Sequence, residues 1–284
     1  MKLKCNCCDG IYNSFDVHFT SVCDNKCEFC IDQTCEGKNI VKPNVPAIVN
    51  TVIQNEEGHD DILFLGGEPC LFLDELIDCV TQIKEKTNLK VYVTTSVPKV
   101  CYDNKDKFFK LIETLDGINL SVQHYNEEVA DKIRRTTSKY DRQKFYSSLP
   151  HKEKIRLNIN LVKPYLCTKQ DVIDCIKHYD NMGFDTIKLN ELQHATNTYV
   201  SFEKLFDIKL KSPFSNGCQG YINMDKLIPN VKTPILLKRS CFLCEETQKA
   251  RLIDGVKVLT KFFINGKSNF GVIYEDGSLQ KGWI

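Results

Sequence analysis

The stretch FDVHFTSVCDNKCEFC, residues 15–30, joins a strand-like pattern to a loop that carries three cysteines. Apolar and polar residues alternate over its first six positions, which is typical of a half-buried β-strand. Cys23, Cys27 and Cys30 follow with the spacing CxxxCxxC. A single thiol is commonly a small core residue, but three on one short loop indicate a shared metal ion or cluster. The stretch therefore predicts a metal or cluster site directly after a strand.

The bulk composition predicts an ordinary cytoplasmic globular protein. The chain has 284 residues, of which 42% are hydrophobic and 26% charged, enough for one large domain with or without a small one. A net charge of +1 provides no basic field, so nucleic-acid binding is not expected. The N-terminus has charges and cysteines in place of an apolar signal, and we expect no membrane segment. Fifteen cysteines in a reducing compartment favour metal ligation over disulfides, while Cys79 and Cys175 lie on apolar helical faces as expected core residues.

Strand-like and helix-like patterns alternate from residue 15 to about residue 206. Each strand pattern is followed by a helical one, and Asn126 and Thr168 have the residue types of helix N-caps with acids in the first turn. Six βα units in order predict an α/β fold, a partial (β/α)6 TIM-like barrel with ligands at the carboxyl ends of its strands. The six predicted strands begin at Phe15, Asp61, Leu89, Gly117, Ile155 and Phe184.

The texture of the chain changes after residue 206. Prolines and cysteines replace the periodic patterns, and the last residues read as strands separated by turns at Asn265–Gly266 and Asp276–Gly277. We therefore predict three parts: an N-terminal extension over residues 1–14, the barrel over 15–206, and a small C-terminal cysteine-containing module with a β-hairpin over 207–284.

A second motif, GGEP, ends the second predicted strand at residues 66–69. Gly66 and Gly67 permit close approach to their backbone, and the carboxylate of Glu68 can accept from an ammonium group, whereas Pro69 suits a helix start. Three thiolates suit a 4Fe-4S cluster that keeps one iron open. The alternative is a structural zinc site closed by nearby Cys35.

At this point the chain resembles the radical S-adenosylmethionine (SAM) superfamily, in the branch of the molybdenum-cofactor cyclase and the SPASM/twitch enzymes. The resemblance covers about residues 15–195. It rests on CDNKCEFC after the first strand, GGEP after the second, INLSVQHYNEEVADKIRR, and IRLNINLVKPYLCTKQDVIDCIKHYDNMGFDTIKLNEL. It favours the cluster over zinc.

The resemblance implies a set of cofactor contacts. Cys23, Cys27 and Cys30 would hold three irons of a 4Fe-4S cluster, and SAM would chelate the fourth. The cluster would cleave SAM reductively, and the resulting 5′-deoxyadenosyl radical would abstract a hydrogen atom from the substrate. Gly66, Gly67 and Glu68 would receive the SAM amino group, and Phe29 would lie against the adenine. Further candidate cofactor-binding residues, read from the carboxyl ends of the strands and the helix after the fourth, are Pro69, Thr94, Thr95, Ser96, Ser121, Gln123, Arg134, Asn158 and Asn160, and His124 is read as a core histidine.

A second cysteine group lies in the C-terminal module. Cys218, Cys241 and Cys244 have a spacing that chance alone produces more readily, because a bare CxxC is expected about once in a chain so rich in cysteine. An auxiliary 4Fe-4S cluster with Cys167 as candidate fourth ligand, a zinc site and free thiols remain alternatives. Cys5, Cys7 and Cys8 are read as a thiol-rich terminal segment.

The resemblance implies an enzyme that modifies a carbon of a peptide or of a nucleotide- or sugar-like small molecule. The residues that act on the substrate are not identified. An electron donor such as flavodoxin or ferredoxin is the implied protein partner. Two other functions remain open: a glycyl-radical activase, against which the C-terminal cysteines argue, and a zinc-stapled binding module, which would have no use for GGEP beside the cysteine loop.

Overall fold

The computed structural model describes residues 14–30, 42–136, 138–192, 197–208, 220–223, 228, 230–239 and 271–280. From residue 14 to residue 206, strands alternate with one or two helices, as the sequence predicts. The strands are β1 (Ser14–Thr20), β2 (Asp61–Gly66), β3 (Lys90–Thr95), β4 (Gly117–Ser121), β5 (Ile155–Leu161), β6 (Thr186–Glu191), β7 (Gly220–Asn223), β8 (Ile235–Arg239), β9 (Gly271–Ile273) and β10 (Leu279–Gln280). The helices are α1 (Val45–Gln54), α2 (Leu73–Lys86), α3 (Lys99–Asp103), α4 (Lys105–Thr114), α5 (Glu127–Arg134), α6 (Arg142–Ser147), α7 (Lys169–Asp180) and α8 (Phe202–Phe206).

The described strands form one sheet in the order β10-β9-β1-β2-β3-β4-β5-β6-β8-β7. The six predicted strands, β1 to β6, are parallel neighbours in chain order, each joined to the next through a segment that contains a helix. Short crossovers of this kind are right-handed, and they place the helices on one side of the sheet. The architecture is the partial barrel of α/β class that the sequence predicts.

The two faces of the sheet differ in chemistry. Residues at alternate positions, such as Phe15, Val17 and Phe64, are fully buried and join the helical apolar residues in one core. The intervening positions of β3 to β6 are polar, although a strand with both faces in an apolar core is continuously apolar. The sheet therefore presents a polar face away from its helices, formed by Thr94, Asn119, Ser121, Arg156, Asn158, Asn160, Lys188 and Asn190.

Helix caps confirm two sequence expectations. The Asn126 side chain accepts from the amides of Glu128 and Val129, and α5 begins at the next residue. Thr168 forms a capping box with Asp171 at the start of α7. The sequence reading omitted α3 and α6, because helices of five and six residues are too short to display a periodicity.

The described strands after residue 206 extend the barrel sheet. β8 pairs in parallel with β6, and β9 pairs in parallel with β1 on the other side. The expected Asp276–Gly277 turn joins β9 to β10, with Gly277 at φ +86°. Cys218, Cys241, Cys244 and the Asn265–Gly266 turn lie outside the described residues, as do residues 1–13 with Cys5, Cys7 and Cys8. Within the described ranges, none of the helices is both long and apolar enough to cross a membrane.

Candidate cluster and cofactor site

The loop with the three cysteines lies at the carboxyl end of β1. Cys23 is exposed, whereas Cys27 and Cys30 are half-buried. The Cys30 amide donates to the Cys27 carbonyl over 3.0 Å, and the Asn25 amide approaches the Cys23 sulfur at 3.4 Å. The Asn25 side chain also donates to Ser96 Oγ over 2.9 Å, which ties the loop to the end of β3. The cysteine loop is therefore held across the carboxyl ends of neighbouring strands, where ligands of parallel sheets bind.

The GGEP turn holds the cysteine loop by its backbone. The Gly67 amide donates to the Thr20 carbonyl and the Glu68 amide to the Val22 carbonyl, each over 2.7 Å. A Cβ on Gly66 would lie 2.5 Å from the Thr20 oxygen, and one on Gly67 would lie 2.2 Å from the Val22 oxygen. Gly66 also has φ +125°, a conformation that L side chains rarely adopt. Both glycines are thus required by the close approach of the cysteine loop.

The Glu68 side chain is buried and already bonded to protein. Its carboxylate accepts from Thr95 Oγ1 at 2.6 Å, from the Ser96 amide and Ser96 Oγ at 2.7 Å each, and from the Cys70 amide at 3.1 Å. Burial raises the pKa of this carboxyl, and the hydrogen bonds act in the opposite direction. Glu68 consequently joins the GGEP turn to the end of β3 and gives Thr95 and Ser96 their positions.

The cysteine loop disfavours free thiolates. Cys23 is exposed as a residue, but the surrounding protein partly desolvates its thiol and raises the pKa of that thiol to about 12. The negative charges of Glu68, Asp24 and Cys27 also raise it. Burial, followed by the charge of Cys30, raises the pKa of Cys27 to about 11. A thiolate at this place needs a positive partner, which the irons of a cluster provide.

Arg134, at the end of α5, faces the cysteine loop from the other side. Its carbonyl accepts from the Lys26 amide over 2.8 Å and from Cys27 Sγ over 3.8 Å. Its side chain is 1% exposed, and Nη2 donates to the Val122 carbonyl over 2.6 Å. Burial acts to lower the pKa of Arg134, but Tyr146 and other neighbours outweigh it and raise the pKa.

Two donors of that guanidinium are unused. Nε and Nη1 of Arg134 are buried and have no hydrogen-bond partner among the described residues. A buried charge with unpaired donors costs free energy unless an anionic group binds it. Oδ1 of Asn158 is likewise buried and unpartnered within the described part of the chain. The site therefore holds unused donors and an unused acceptor.

The polar face of the sheet continues this site. Asn119 Nδ2 donates to Thr94 Oγ1 over 3.2 Å, and Arg156 Nε donates to Asn119 Oδ1 over 2.8 Å. Farther along, Asn160 Nδ2 donates to Gln123 Oε1 over 3.3 Å, and Asn190 Nδ2 donates to Asn160 Oδ1 over 3.0 Å. These bonds orient amide groups on a surface that would otherwise hold unpaired polar atoms.

The remaining predicted site residues, Phe29, Pro69, Ser121 and Cys167, lie at different places around the site. Phe29 is half-buried within the cysteine loop, and Pro69 is the buried first residue of a 3-10 turn over Pro69–Phe72. Ser121 is half-buried, and its carbonyl lies 3.4 Å from Arg134 Nη2. Cys167 follows β5, where its Sγ lies 3.3 Å from the Pro164 carbonyl. Its suggested cysteine partners are outside the described residues.

Sequence reasoning missed three residues that position the site. Asn25 bridges the cysteine loop to Ser96, Thr20 Oγ1 accepts from the Val22 amide over 3.0 Å, and Tyr146 Oη lies 3.4 Å from Arg134 Nη2. Asn25 stands between two of the cysteines, so its place in the motif was a usable signal. Tyr146 lies in a different helix from Arg134, α6 instead of α5, and no local sequence pattern indicates their contact.

By residue type, the site suits a 4Fe-4S cluster with SAM, although its three thiols do not converge on one point in this structure. Cys23, Cys27 and Cys30 share one loop, and their thiols are close enough to affect one another electrostatically. The buried donors of Arg134 suit a carboxylate, such as that of SAM. In the part of the chain that the structure describes, no three histidine, cysteine, aspartate or glutamate side chains are grouped as ligands of one metal ion.

Comparison with known proteins assigns the chain to a family. The model of the radical SAM superfamily matches residues 17–192. A probable GTP 3′,8-cyclase of Saccharolobus islandicus is 25% identical over 200 residues, covering 68% of this chain and 61% of that protein. An S-adenosylmethionine-dependent nucleotide dehydratase of Flammeovirga pacifica is 25% identical over 179 residues, covering 59% of each chain. The chain thus spans about 60% of the length of these relatives.

Solved structures agree on the fold. The crystal structure of Streptococcus suis SuiB bound to precursor peptide SuiA has a TM-score of 0.63 at 15% identity, covering 95% of this chain and 59% of that one. At that identity the likeness concerns the fold alone. Since the family model matches more than half of the 284 residues, the protein belongs to the radical SAM superfamily of enzymes, whose cofactors are a 4Fe-4S cluster and SAM.

Proposed function

We propose that this protein binds a 4Fe-4S cluster through Cys23, Cys27 and Cys30 and uses SAM to modify a carbon of a nucleotide- or sugar-like small molecule or of a peptide. Bound there, the cluster would supply the electron for reductive cleavage of SAM to methionine and a 5′-deoxyadenosyl radical, which would abstract a hydrogen atom from the substrate. The protein contributes position and the exclusion of water and oxygen. A donor such as flavodoxin or ferredoxin would provide the electron.

The observation that carries this proposal is the backbone attachment of the cysteine loop to the GGEP turn. The amides of Gly67 and Glu68 donate hydrogen bonds to the carbonyls of Thr20 and Val22. These bonds fix the position of the residue directly before Cys23 against the end of β2. A loop that merely connected β1 to α1 would have no need of two glycines pressed against it. The attachment brings the cysteines and the GGEP carbonyl groups to the same end of the sheet.

Protein groups near this end suit four parts of SAM, which are its ammonium group, its carboxylate, its ribose and its adenine. The backbone carbonyls of Gly66 and Gly67 suit its ammonium group, since the Glu68 carboxylate already accepts four hydrogen bonds. The unused donors of Arg134 suit its carboxylate, and the unused oxygen of Asn158 suits a ribose hydroxyl. Phe29 is the proposed adenine contact. Further proposed SAM contacts are polar residues at or just beyond the carboxyl ends of β3, β4 and β5, which are Thr94, Thr95, Ser96, Ser121, Gln123 and Asn160.

The nucleotide-like substrate is favoured over the peptide by the sequence relatives, which are named for a GTP cyclisation and a nucleotide dehydration. Two basic residues lie on the polar face of the sheet, Lys188 with 6% exposure opposite Asn158 and half-buried Arg156 beside Asn119. Both already interact with other protein groups, and basic side chains on this face suit a phosphorylated ligand.

The first experiment measures iron and acid-labile sulfide per chain after anaerobic reconstitution. We compare the wild type, a triple alanine variant at Cys23, Cys27 and Cys30, and a matched triple alanine variant at Cys5, Cys7 and Cys8. The proposal predicts that only the first variant loses about four irons and the ability to form 5′-deoxyadenosine from SAM. Equal iron in all three proteins, or zinc in place of iron, would contradict it.

A second cluster is tested in the same assay. Alanine at Cys218, Cys241 and Cys244 is expected to remove about four further irons if those residues ligate an auxiliary cluster, and Cys167→Ala tests the fourth ligand. Unchanged iron in these variants would reject the auxiliary cluster while leaving the SAM cluster in place.

The substrate class is tested by isotope transfer. Nucleoside triphosphates deuterated on the sugar and deuterated peptides are each incubated with the loaded enzyme, SAM and a reductant. Deuterium in 5′-deoxyadenosine from the nucleotide alone supports the favoured class, and transfer from the peptide alone would replace it.

A further inference from the structure

The described end of the chain returns to the cysteine loop. β9 lies parallel to β1, and Glu275 sits in the turn between β9 and β10. Its carboxylate accepts a hydrogen bond from Ser21 Oγ at Oε1 over 3.1 Å, and its Oε2 lies 3.1 Å from His18 Nδ1. One acidic side chain, 254 residues distant from Ser21 in sequence, therefore contacts the strand and the loop that lead to Cys23.

Glu275 is itself firmly placed. Its carbonyl accepts from the Asn44 amide over 2.8 Å, directly before α1. In the same turn, the Gly277 carbonyl accepts from Thr51 Oγ1 over 2.7 Å. A Cβ on Gly277 would lie 2.5 Å from the Ala47 Cβ, so the turn is pressed closely against α1. The Glu275 side chain is 12% exposed, so its carboxylate is a partly desolvated hydrogen-bond acceptor on a firmly held backbone.

Ser21 occupies a short segment that is held from two sides. The carbonyls of its neighbours, Thr20 and Val22, accept from the GGEP amides over 2.7 Å. The Ser21 hydroxyl instead reaches the turn at Glu275, over 3.1 Å. Cys23 follows after one more residue, so any movement of this segment is transmitted through only two peptide units.

We propose that Glu275 is a positioning residue for the cysteine loop and acts through Ser21 and His18. The β9–β10 turn, which carries Glu275, then helps to position the cluster ligands. This inference rests on the proposed function, because it concerns the ligand Cys23. Its consequence is that the end of the chain, although remote in sequence, adjusts the place at which the first thiolate meets the cluster.

Hydrogen–deuterium exchange of the full unloaded chain tests the coupling. The variants are Glu275→Ala, Ser21→Ala, the double variant and Glu275→Gln, whose amide oxygen still accepts from Ser21. Asp276→Asn is the matched control, since it removes a charge from the same turn while keeping the oxygen that accepts from the Ser278 amide. We expect amides in 19–30 to exchange about tenfold faster in either alanine variant, because a hydrogen bond to a charged group is lost.

The double variant separates positioning from general loosening. If Ser21 acts through its hydrogen bond to Glu275, the double variant exchanges no faster in 19–30 than Glu275→Ala alone, which already loses the contacts to both Ser21 and His18, and Glu275→Gln restores most of the protection. Additive increases, or faster exchange confined to 271–280, would overturn the inference. Ser21→Ala removes only a hydroxyl, so it remains informative if Glu275→Ala fails to fold.

The loaded enzyme gives an independent readout. Ser21→Ala and Glu275→Ala are expected to bind as much iron as the wild type but to show a KM for SAM raised about fivefold, with kcat changed less than twofold. An unchanged KM would count against the positioning role. Iron in the wild type tests the proposed function separately: a wild type without iron would refute both proposals, whereas iron that depends on Cys23, Cys27 and Cys30, together with uncoupled exchange, would refute only the role of Glu275.

Discussion

Gly66 and Gly67 show how a single hydrogen atom in place of a methyl group determines a site. The Val22 carbonyl carbon and oxygen lie 2.7 and 2.2 Å from the position that a Cβ on Gly67 would take. These are backbone atoms and cannot rotate away as a flexible side chain can. The approach of the GGEP turn to the cysteine loop is therefore a property of these two residues.

Gly67→Ala is expected to displace the cysteine loop, cost about 1–3 kcal/mol of stability and reduce the iron bound on reconstitution, because the overlap is with backbone. Gly183→Ala is the matched control, since a Cβ at Gly183 meets nothing within 4 Å although its φ is +81°. The control is expected to cost about 1 kcal/mol and to bind iron normally. Urea denaturation and iron analysis measure both effects, and normal iron in Gly67→Ala would contradict the steric argument.

Arg134 has two buried hydrogen-bond donors without a partner among the described residues, and we expect these donors to contribute to the affinity for SAM. Arg134→Lys retains the charge but removes the planar pair of donors at Nε and Nη1. We expect SAM to bind at least about tenfold more weakly while the iron content is unchanged, since the Arg134 side chain is not a cluster ligand. Anaerobic equilibrium dialysis against SAM measures the affinity.

The neighbouring Arg135 provides the control for that experiment. Its guanidinium forms an exposed ion pair with Glu28, for which little stability is expected. Arg135→Lys should leave SAM affinity within about twofold of the wild type. Equal losses in the two variants would mean that general charge near the loop, rather than the buried donors, governs SAM binding.

At the scale of the element, capping shows which parts of the barrel are locally encoded. In α7, Thr168 Oγ1 accepts from the Asp171 amide over 3.1 Å, and an Asp171 oxygen accepts from the Thr168 amide over 3.1 Å. These bonds satisfy two of the donors that every helix start leaves unpaired. The amino acids that make them stand three positions apart, and this is why sequence alone located the helix.

Thr168→Ala is expected to destabilise the protein by about 1 kcal/mol, because it removes the Oγ1 that accepts from the Asp171 amide, although the backbone amide of residue 168 remains. Thr114→Ala at the other end of a helix, α4, is the control, since its hydroxyl only donates back to the Lys110 carbonyl and Ala is the better helix former. Its stability should stay within about 0.5 kcal/mol of the wild type. Equal denaturation midpoints for the two variants would reject the local account of α7.

Strand pairing is less local than capping. The alternation in residues 155–161 and 186–191 predicts two strands, and the structure pairs them with Asn160 opposite Asn190. Nothing within either strand specifies that register, which follows from burying the apolar face of each strand against the helices. Sequence therefore predicted both elements, whereas the amide-to-amide contact needed the assembled sheet.

At the scale of the whole molecule, two histidines connect stability to pH. Burial lowers the pKa of His124 and of His178 from the ordinary value of 6.5. His124 is 7% exposed, its Nδ1 accepts from the Asn126 amide over 2.9 Å, and its ring stacks on Tyr125. The folded protein thus favours neutral imidazole at both positions, which agrees with the expectation that His124 is a core residue.

The sign of the effect follows from proton binding. Below pH 6.5 the unfolded chain binds protons at these histidines before the folded chain does, so acidification shifts the equilibrium toward unfolding until the lower folded pKa is passed. We expect urea midpoints to fall from pH 7.5 to pH 5.5, and to fall less in His124→Asn, whose amide oxygen can still accept from Asn126. An identical fall in the variant would exclude His124 as a source of the acid sensitivity.

The C-terminal part of the chain shows the limit of sequence reasoning at this scale. Composition suggested a module apart from the barrel, yet the described strands β8 and β9 join opposite sides of the barrel sheet. Short strands of three to five residues carry too little pattern to reveal their partners. The Asp276–Gly277 turn was predictable because its residues suit a turn locally, but its docking against Ala47 of α1 was not.

The amino-acid sequence by itself determined the alternation of six strands with helices, the caps at Asn126 and Thr168, the cysteine spacing and the GGEP turn, because each depends on residues a few positions apart. Only the tertiary structure decided that Glu68 holds the end of β3, that two buried donors of Arg134 meet no partner among the described residues, and that Glu275 reaches Ser21. Those contacts join residues 27 to 254 positions apart. They exist because hydrophobic burial packs the helices against the outer face of the curved sheet, and no short-range preference of the chain contains that information.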